Sequence, residues 1–335
     1  MSPESNPRVA VFGAAGYAGA LCARLVQRHP TFVLRTVTSR SDVGRRLDDL
    51  YPHHRVPLVL EEFDLDRHSD VDAAIVAYPH GAAAEVVAAL VTRGVRVVDL
   101  SADFRLRDAG VYAEWYRDHP SPELIADAVY GLPEFYREQI PDAQIVANPG
   151  CYPTATLLAL APLAAAGLIG DVIVDAKSGV SGAGRAPTDK THFVTVDENV
   201  SAYGVAGHRH TPEIEQELAV LGADVRITFT PHLLPLDQGE LVSCYVTPTN
   251  GGPRDAKSLF EDFYADEPFV EVSDRPPGVR DVRETNICRL SVHTDERTGR
   301  LIAFAAIDNL WKGAASQAVQ NLNLMFGRPE GEGIA

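Results

Sequence analysis

The chain has 335 residues, enough for two domains with separate cores, and its 45% hydrophobic and 23% charged residues are ordinary for a soluble globular protein. A formal net charge of −16 disfavours nucleic acids and anionic membranes as partners, and no apolar run approaches membrane-spanning length. The N-terminus does not resemble a secretory signal, and four widely spaced cysteines without a CxxC pair indicate reduced thiols. We therefore expect a cytoplasmic protein without a disulfide framework.

The first 148 residues alternate between strand-like and helix-like patterns. Short apolar runs predict strands over 8–12, 33–38, 73–77, 95–100 and 145–147. Helical spacing of apolar residues predicts helices over 17–27 and 82–91. Alternation of this kind favours parallel βαβ units, so we expect an α/β fold with a Rossmann-type dinucleotide-binding domain over 1–148.

The pattern changes in the second half of the chain. After a helix-like run over 156–166, β-branched runs predict strands over 172–176, 225–230, 241–247 and 301–307. They indicate a mixed or antiparallel sheet in an α+β domain over 149–308. Helical spacing returns over 309–326, which gives a C-terminal helical segment over 309–335.

A glycine-rich turn joins the first predicted strand to the first predicted helix. Glycine permits a tight turn and lets backbone amides approach a pyrophosphate at the helix N-terminus. The spacing is G-x-x-G-x-x-G rather than G-x-G-x-x-G, and a turn that binds nothing is the alternative. We predict cofactor binding at Gly13, Ala14, Ala15, Gly16, Tyr17 and Gly19.

The second strand ends in Thr38-Ser39-Arg40 and lacks the acidic residue that holds the ribose of NAD. Hydroxyls and a guanidinium suit a 2′-phosphate, so the pattern favours NADP(H) over NAD. An ordinary surface role for Arg40 is the alternative.

Cys151 follows Pro149-Gly150 at the point where a strand gives way to a helix. The positive end of a helix dipole favours the thiolate, which is the nucleophilic form of cysteine. The remaining cysteines lie in apolar runs typical of core positions: Cys22, Cys244 and Cys288. We predict that Cys151 is a catalytic nucleophile.

The densest histidine cluster, His208-Arg209-His210, precedes a predicted helix over 212–218 with Thr211 as its N-cap. A nucleophilic thiol generally needs a base, and His208 is free to point toward one. For His210 a capping or surface role is an equal alternative. No histidines show metal-ligand spacing with a carboxylate, so we expect no metal.

Two further segments suit anions. The loop 178–185, which follows a predicted strand, combines glycines, serines and an arginine and fits either a leaving phosphate or the cofactor's phosphates. A mobile linker is the alternative. Arg105 follows the fourth strand, where ligands gather in open α/β sheets. It pairs with a substrate anion or, equally, with Asp103 or Asp108.

Seven motifs together resemble one family. They span residues 9–327 and read GAAGYAG, SADFRL, YGLPE, NPGCYPT, SGVSGAGR, GHRHTPEI and DNLWKGAA. The combination resembles the N-acetyl-γ-glutamyl-phosphate reductases of arginine biosynthesis, within the aspartate-semialdehyde dehydrogenase superfamily. NPGCYPT and HRHTPEI carry most of the specificity.

The resemblance implies roles for individual residues. Cys151 matches the nucleophile of the family and His208 its acid/base. The implied nicotinamide and substrate loop contains Ser178, Gly179 and Gly182, and Asn309 in DNLWKG is similar to the asparagine that lies beside the nicotinamide in the family. The implied 2′-phosphate contacts are Thr38, Ser39 and Arg40. The candidate substrate contacts are Arg105, Asn148 and Arg209.

The implied activity is NADPH-dependent reduction of a small acyl phosphate through a Cys151 thioester, in a homodimer or homotetramer whose last helix packs on the Rossmann domain. One alternative is a reductase of carrier-protein-linked aminoadipyl phosphate in lysine biosynthesis, although a chain of charge −16 suits an acidic carrier poorly. Aspartate-semialdehyde dehydrogenase is another. A redox or nucleotide sensor without turnover is the alternative outside the enzymes.

Overall fold

The computed structural model describes residues 6–334, which divide into two compact units. The first unit joins the described residues of Met1–Pro149 to those of Ala314–Ala335, and the second unit is Gly150–Gly313.

The first unit is built on a seven-stranded sheet in which every pair of neighbours is parallel. Its strands are β1 (Arg8–Phe12), β2 (Val33–Thr38), β3 (Leu60–Glu61), β4 (Ala73–Val76), β5 (Arg96–Asp99), β6 (Ala128–Tyr130) and β7 (Ile145–Ala147). The helices between them are α1 (Tyr17–Arg28), α2 (Leu47–Leu50), α3 (Leu65–His68), α4 (Ala84–Thr92), α5 (Ala109–Trp115) and α6 (Pro133–Tyr136).

The order across this sheet is β3-β2-β1-β4-β5-β7-β6, so β1 lies between β2 and β4. The strand order therefore reverses at β1, and open α/β sheets bind ligands beyond the carboxyl ends of the strands at such a point. β4 is buried along its whole length, as expected for a parallel strand covered on both faces.

The second unit is built on a seven-stranded mixed sheet of order β12-β13-β14-β11-β8-β10-β9. Its elements in chain order are α7 (Cys151–Ala165), β8 (Ile169–Gly179), α8 (Phe193–Val196), β9 (Ser201–Ala202), α9 (Thr211–Val220), β10 (Ile227–Leu234), β11 (Glu240–Pro248), α10 (Ala256–Phe263), β12 (Val270–Val272), β13 (Cys288–Asp295) and β14 (Arg300–Ile307). A π-helical turn, Trp311–Ala315, follows, and α11 (Ser316–Met325) belongs to the first unit.

Helix α7 is the central helix of the second unit. Every residue from Tyr152 to Ala164 is buried, because the helix is apolar on all sides. It packs against β11, β14 and α9, so the sheet and its neighbouring helix fix the first turn, where Cys151 lies.

The predicted α/β class, with a parallel sheet and a mixed sheet, is confirmed. The strands β3, β6, β9, β12 and β13 were not predicted; four of them have only two or three residues. The central helix begins at Cys151, five residues before the predicted start. Thr211 is the first helical residue of α9 rather than its cap, and the C-terminal helix starts only after the π-helical turn.

Candidate active site

The glycine turn lies beyond the carboxyl end of β1, at the point where the strand order reverses. Gly13 has φ +88°, and a Cβ there would lie 2.5 Å from the carbonyl oxygen of Ala77. A Cβ on Gly19 would lie 2.4 Å from the carbonyl oxygen of Gly13, so this glycine lets α1 pack closely on the turn. Gly16 begins α1 without a side-chain cap, which leaves the helix N-terminus suited to a pyrophosphate.

The end of β2 presents a guanidinium beside this turn. Arg40 is exposed, and its guanidinium carbon lies 4.9 Å from the ring centroid of Tyr78. The Tyr78 hydroxyl in turn lies 3.1 Å from that of Thr38. The hydroxyl of Ser39 accepts the backbone N–H groups of Ser41 and Asp42, so it shapes the turn. These contacts leave Arg40 as the exposed cation at the end of β2 and suit a 2′-phosphate.

Cys151 is the first residue of α7, and Gly150 before it supplies no capping side chain. The thiol is partly exposed, whereas Cys22, Cys244 and Cys288 are fully buried. Burial raises the pKa of Cys22 far above its usual range and that of Cys244 to about 12. Cys151 is thus the cysteine suited to form an accessible thiolate at a helix N-terminus.

Two contacts fix the backbone around Cys151, and neither was predicted. The carboxylate of Glu213, a buried residue on α9, accepts the N–H of Gly150 at 2.9 Å. In the π-helical turn, a Cβ on Gly313 would lie 2.8 Å from the Cβ of Cys151, so only glycine fits there without displacement. No local pattern marks these positions, because each lies more than 60 residues from Cys151 in the sequence.

The structure brings both histidines of the HRH motif to this region of the second unit. The ring of His208 packs edge-on against Tyr152 and Tyr203, at centroid distances of 5.8 and 5.5 Å. The backbone N–H of His210 donates to Nδ1 of His208 at 3.2 Å.

The ionisation of His208 follows from its surroundings. Burial and the nearby Arg209 lower the pKa of His208 to about 4, so its imidazole is neutral at pH 7. His210 lies against the loop before α7, since a Cβ on Gly150 would be 2.6 Å from its Nε2.

The second glycine loop brings its predicted residues together. Asn309 donates from Nδ2 to the Ser181 hydroxyl at 3.0 Å, and its Oδ1 accepts the N–H of Gly239 at 2.8 Å. A Cβ on Gly182 would lie 3.3 Å from the Ser178 hydroxyl and 3.7 Å from the Asn309 amide. Gly179 approaches the backbone of Asp237 too closely for a side chain. Asn309 therefore holds the loop to the start of β11.

Glu240, the first residue of β11, is a buried carboxyl that the sequence analysis missed. It is fully buried, and burial together with the charge of Asp308 raises its pKa to about 8. The Cys151 side chain acts in the opposite direction and lowers it. The available sequence signal was an acidic residue opening the apolar run 241–247.

The three candidate substrate contacts have different surroundings. Arg105 is buried and donates to the carbonyls of Asn148 at 2.8 Å and Leu100 at 2.7 Å, so it braces the ends of β5 and β7. The Asn148 side-chain oxygen accepts the amide of Asn321 at 3.1 Å. Arg209, in the second unit, is exposed.

Across residues 6–334, no three His, Cys, Asp or Glu side chains are placed to hold a metal ion.

Comparison with known proteins agrees with the fold. The family model described as "Semialdehyde dehydrogenase, NAD binding domain" matches residues 8–143, and "Semialdehyde dehydrogenase, dimerisation domain" matches residues 151–309. Aspartate semialdehyde dehydrogenase II from Vibrio cholerae has the same fold, with a TM-score of 0.73 at 22% identity over 96% of this chain and 99% of the other. Aspartate semialdehyde dehydrogenase from Candida albicans, solved with NADP, has a TM-score of 0.71 at 14% identity, over 96% of this chain and 99% of the other.

Fold and family models together define a semialdehyde-dehydrogenase-type oxidoreductase with a nucleotide-binding unit. The sequence is 50% identical to the N-acetyl-gamma-glutamyl-phosphate reductase of Desulforudis audaxviator, over 98% of this chain and 97% of the relative. It is 48% identical to that of Alkalilimnicola ehrlichii, over 97% of each. The chain belongs to the N-acetyl-γ-glutamyl-phosphate reductase family.

Proposed function

We propose that the protein reduces N-acetyl-γ-glutamyl phosphate to N-acetyl-glutamate 5-semialdehyde and phosphate, as a step of arginine biosynthesis. The observation that carries the proposal is the partly exposed Cys151 at the uncapped start of α7, in a chain whose other thiols are buried. An acyl phosphate is reactive enough for a thiolate to capture, and covalent attachment divides a difficult reduction into easier steps. Relatives at 45–50% identity are named N-acetyl-gamma-glutamyl-phosphate reductase. These names do not favour the alternatives, which are a carrier-linked aminoadipyl-phosphate reductase and an aspartate-semialdehyde dehydrogenase.

The proposed mechanism begins with attack of the Cys151 sulfur on the acyl carbon. Phosphate leaves, and a thioester holds the acyl group on the enzyme. NADPH, when bound, supplies the hydride that brings this group to the aldehyde level. Cys151 then departs as thiolate. His208 is neutral near pH 7 and is proposed to exchange protons with the phosphate, a role typically worth about 10²–10⁴-fold in rate.

We propose that the cofactor is NADP(H), held by the residues of the glycine turn. The 2′-phosphate would bind Arg40, Thr38 and Ser39. The guanidinium of Arg40 lies over the ring of Tyr78, whose hydroxyl contacts that of Thr38. In the second unit, Ser178, Gly179, Gly182 and Asn309 are proposed to contact the nicotinamide end.

Arg209 is the proposed contact for a substrate anion, because it is exposed beside His208. Arg105 and Asn148 are retained as candidate substrate contacts in the first unit. Their hydrogen bonds show that each also holds local backbone, so substitution there would affect folding as well as binding.

The proposed assembly is a homodimer formed through the second unit, with a homotetramer as the larger alternative. The dimerisation-domain match over 151–309 supports this, and so do four exposed apolar side chains: Phe193, Val194, Val200 and Val205. Light scattering after gel filtration should give twice or four times the chain mass, and the double substitution Phe193→Ser with Val194→Ser should lower the measured mass.

We also propose a cytoplasmic location. Within the described residues, no helix has the length and apolar character of a membrane span.

The reverse reaction tests the proposal. The protein should reduce NADP⁺ in the presence of N-acetyl-glutamate semialdehyde and phosphate, and aspartate semialdehyde should support a far lower rate. Cys151→Ser should retain NADPH binding, measured by fluorescence, and lose turnover. A Cys151→Ser protein that turns over at the wild-type rate would remove the proposed nucleophile, and equal rates with both aldehydes would remove the proposed substrate.

A further inference from the structure

Glu240 is a buried carboxyl beside the reacting sulfur that the mechanism above does not use. The register of the sheet places it opposite Ser178 on β8 and Ile307 on β14, at the end of β11 nearest the second glycine loop. Its side chain is fully buried, and neither oxygen meets a hydrogen-bond donor of ordinary geometry among the described residues. Its electrostatic partner is the Cys151 side chain.

The titratable groups that interact electrostatically with Glu240 are all acids. Cys151 and Tyr152 lie on α7, Tyr203 follows β9, and Asp308 follows β14. The two tyrosine hydroxyls bind each other at 3.1 Å, and burial holds the pKa of both above the usual range. None of the described residues that shift the pKa of Glu240 is a cation, so no counter-charge offsets its ionisation.

This environment couples the ionisation of two neighbouring acids. Burial and the charge of Asp308 raise the pKa of the Glu240 carboxyl to about 8, and the Cys151 side chain lowers it. Two neighbouring acids in a buried site cannot both ionise without strong repulsion, so their protons are lost in two coupled steps. Between those steps the site holds one negative charge and one proton.

We propose that Glu240 and Cys151 share this proton: Glu240 accepts it when the sulfur attacks and returns it when the sulfur departs. The catalytic part of this inference rests on the proposed function. In the first step the S–H bond breaks and an O–H bond forms on Glu240, while sulfur bonds to the acyl carbon and phosphate leaves with the electron pair. In the last step the C–S bond breaks, sulfur keeps its electron pair, and Glu240 returns the proton.

The proposal divides proton transfer between two residues. Glu240 serves the sulfur, and His208 serves the phosphate, which takes its proton from solvent through the imidazole. The division fits the surroundings of each side chain, because His208 packs against Tyr152 and Tyr203 whereas the Cys151 side chain acts directly on Glu240.

Alkylation of Cys151 tests the coupling without substrate or cofactor. The rate of reaction with iodoacetamide is measured from pH 6 to 10 for wild type and Glu240→Gln, with Cys151→Ser as the blank; the other three thiols are buried. The wild-type profile should show two inflections and the Glu240→Gln profile one. Superimposable profiles would overturn the proposal.

Two further measurements complete the test. Glu240→Asp keeps a titratable carboxyl, so its alkylation profile should retain two inflections. A folded Glu240→Asp protein with one inflection also overturns the proposal. This variant replaces Glu240→Gln in the test if Glu240→Gln does not fold. In the reverse reaction, Glu240→Gln should lower kcat at least tenfold with little change in KM and alter the pH profile, while the exposed control Glu296→Gln changes neither. A wild-type kcat and pH profile in Glu240→Gln overturns the catalytic role. Because alkylation needs no turnover, failure of the proposed function is distinguishable from failure of this inference.

Discussion

Gly313 lies against Cys151, the proposed nucleophile, and Gly313→Ala therefore gives a sharp test of how the position of the sulfur is fixed. The added methyl would lie 2.8 Å from the Cβ of Cys151, whereas ordinary contact begins at 3.4 Å, so the two atoms must separate by about 0.6 Å or more. Overpacking of this kind costs about 1–3 kcal/mol of stability, and a misplacement of about 1 Å near reacting groups costs about 10²-fold in rate. We expect kcat to fall between tenfold and a hundredfold.

The assay is NADP⁺ reduction in the reverse direction, with melting temperature and NADPH affinity measured in parallel. Gly278→Ala is the matched control, because a Cβ there meets no atom within 4 Å and the φ of Gly278 is negative. Gly278→Ala should behave as wild type. A Gly313→Ala enzyme with a kcat within twofold of wild type would refute the reasoning that the π-helical turn fixes the position of the sulfur.

Three other predictions concern groups away from the sulfur itself. Arg40→Leu should weaken NADPH binding at least tenfold in a fluorescence titration and leave NADH binding unchanged, since hydrogen bonds to charged groups contribute about 1.5–3 kcal/mol; equal losses for both cofactors would contradict a 2′-phosphate contact. Burial is the main reason that the pKa of His54 is lowered to about 4, so the unfolded chain binds a proton at this residue more readily than the folded protein does. The free energy of unfolding in urea should therefore fall as the pH drops from about 6.5 towards 4. A His54→Gln protein whose free energy of unfolding depends on pH as steeply as that of wild type would contradict this. Glu213→Gln should lower the free energy of unfolding by about 1–2 kcal/mol and also lower kcat, because the bond to the Gly150 N–H loses its charge; an unchanged kcat would show that this anchor does not position α7.

The parts of the fold that the sequence predicted are those with a local cause. Residues 8–12, 33–38 and 145–147 were predicted with the bounds that the structure gives, because buried parallel strands are short apolar runs bounded by turn residues. The start of α7 was placed late, because Tyr152-Pro153-Thr154 resembles a turn by composition although Pro is tolerated in a first helical turn.

The parts of the site that were missed depend on residues far apart in the chain. Glu240 becomes notable only when sheet register sets it beside the second loop, and Gly313 only when the π-helical turn meets Cys151. For Arg105 the anion contact stays a prediction from its basic side chain. The structure adds what the sequence did not show, because two of its nitrogens donate to backbone carbonyls, one of them 43 residues away.

Helix α7 has a consequence for how this protein responds to heat. A helix with no solvent-facing side cannot slide or tilt without opening the core around it, and the sulfur is attached to its first turn. Warming should therefore leave the position of the Cys151 sulfur unchanged until the second unit melts as a whole.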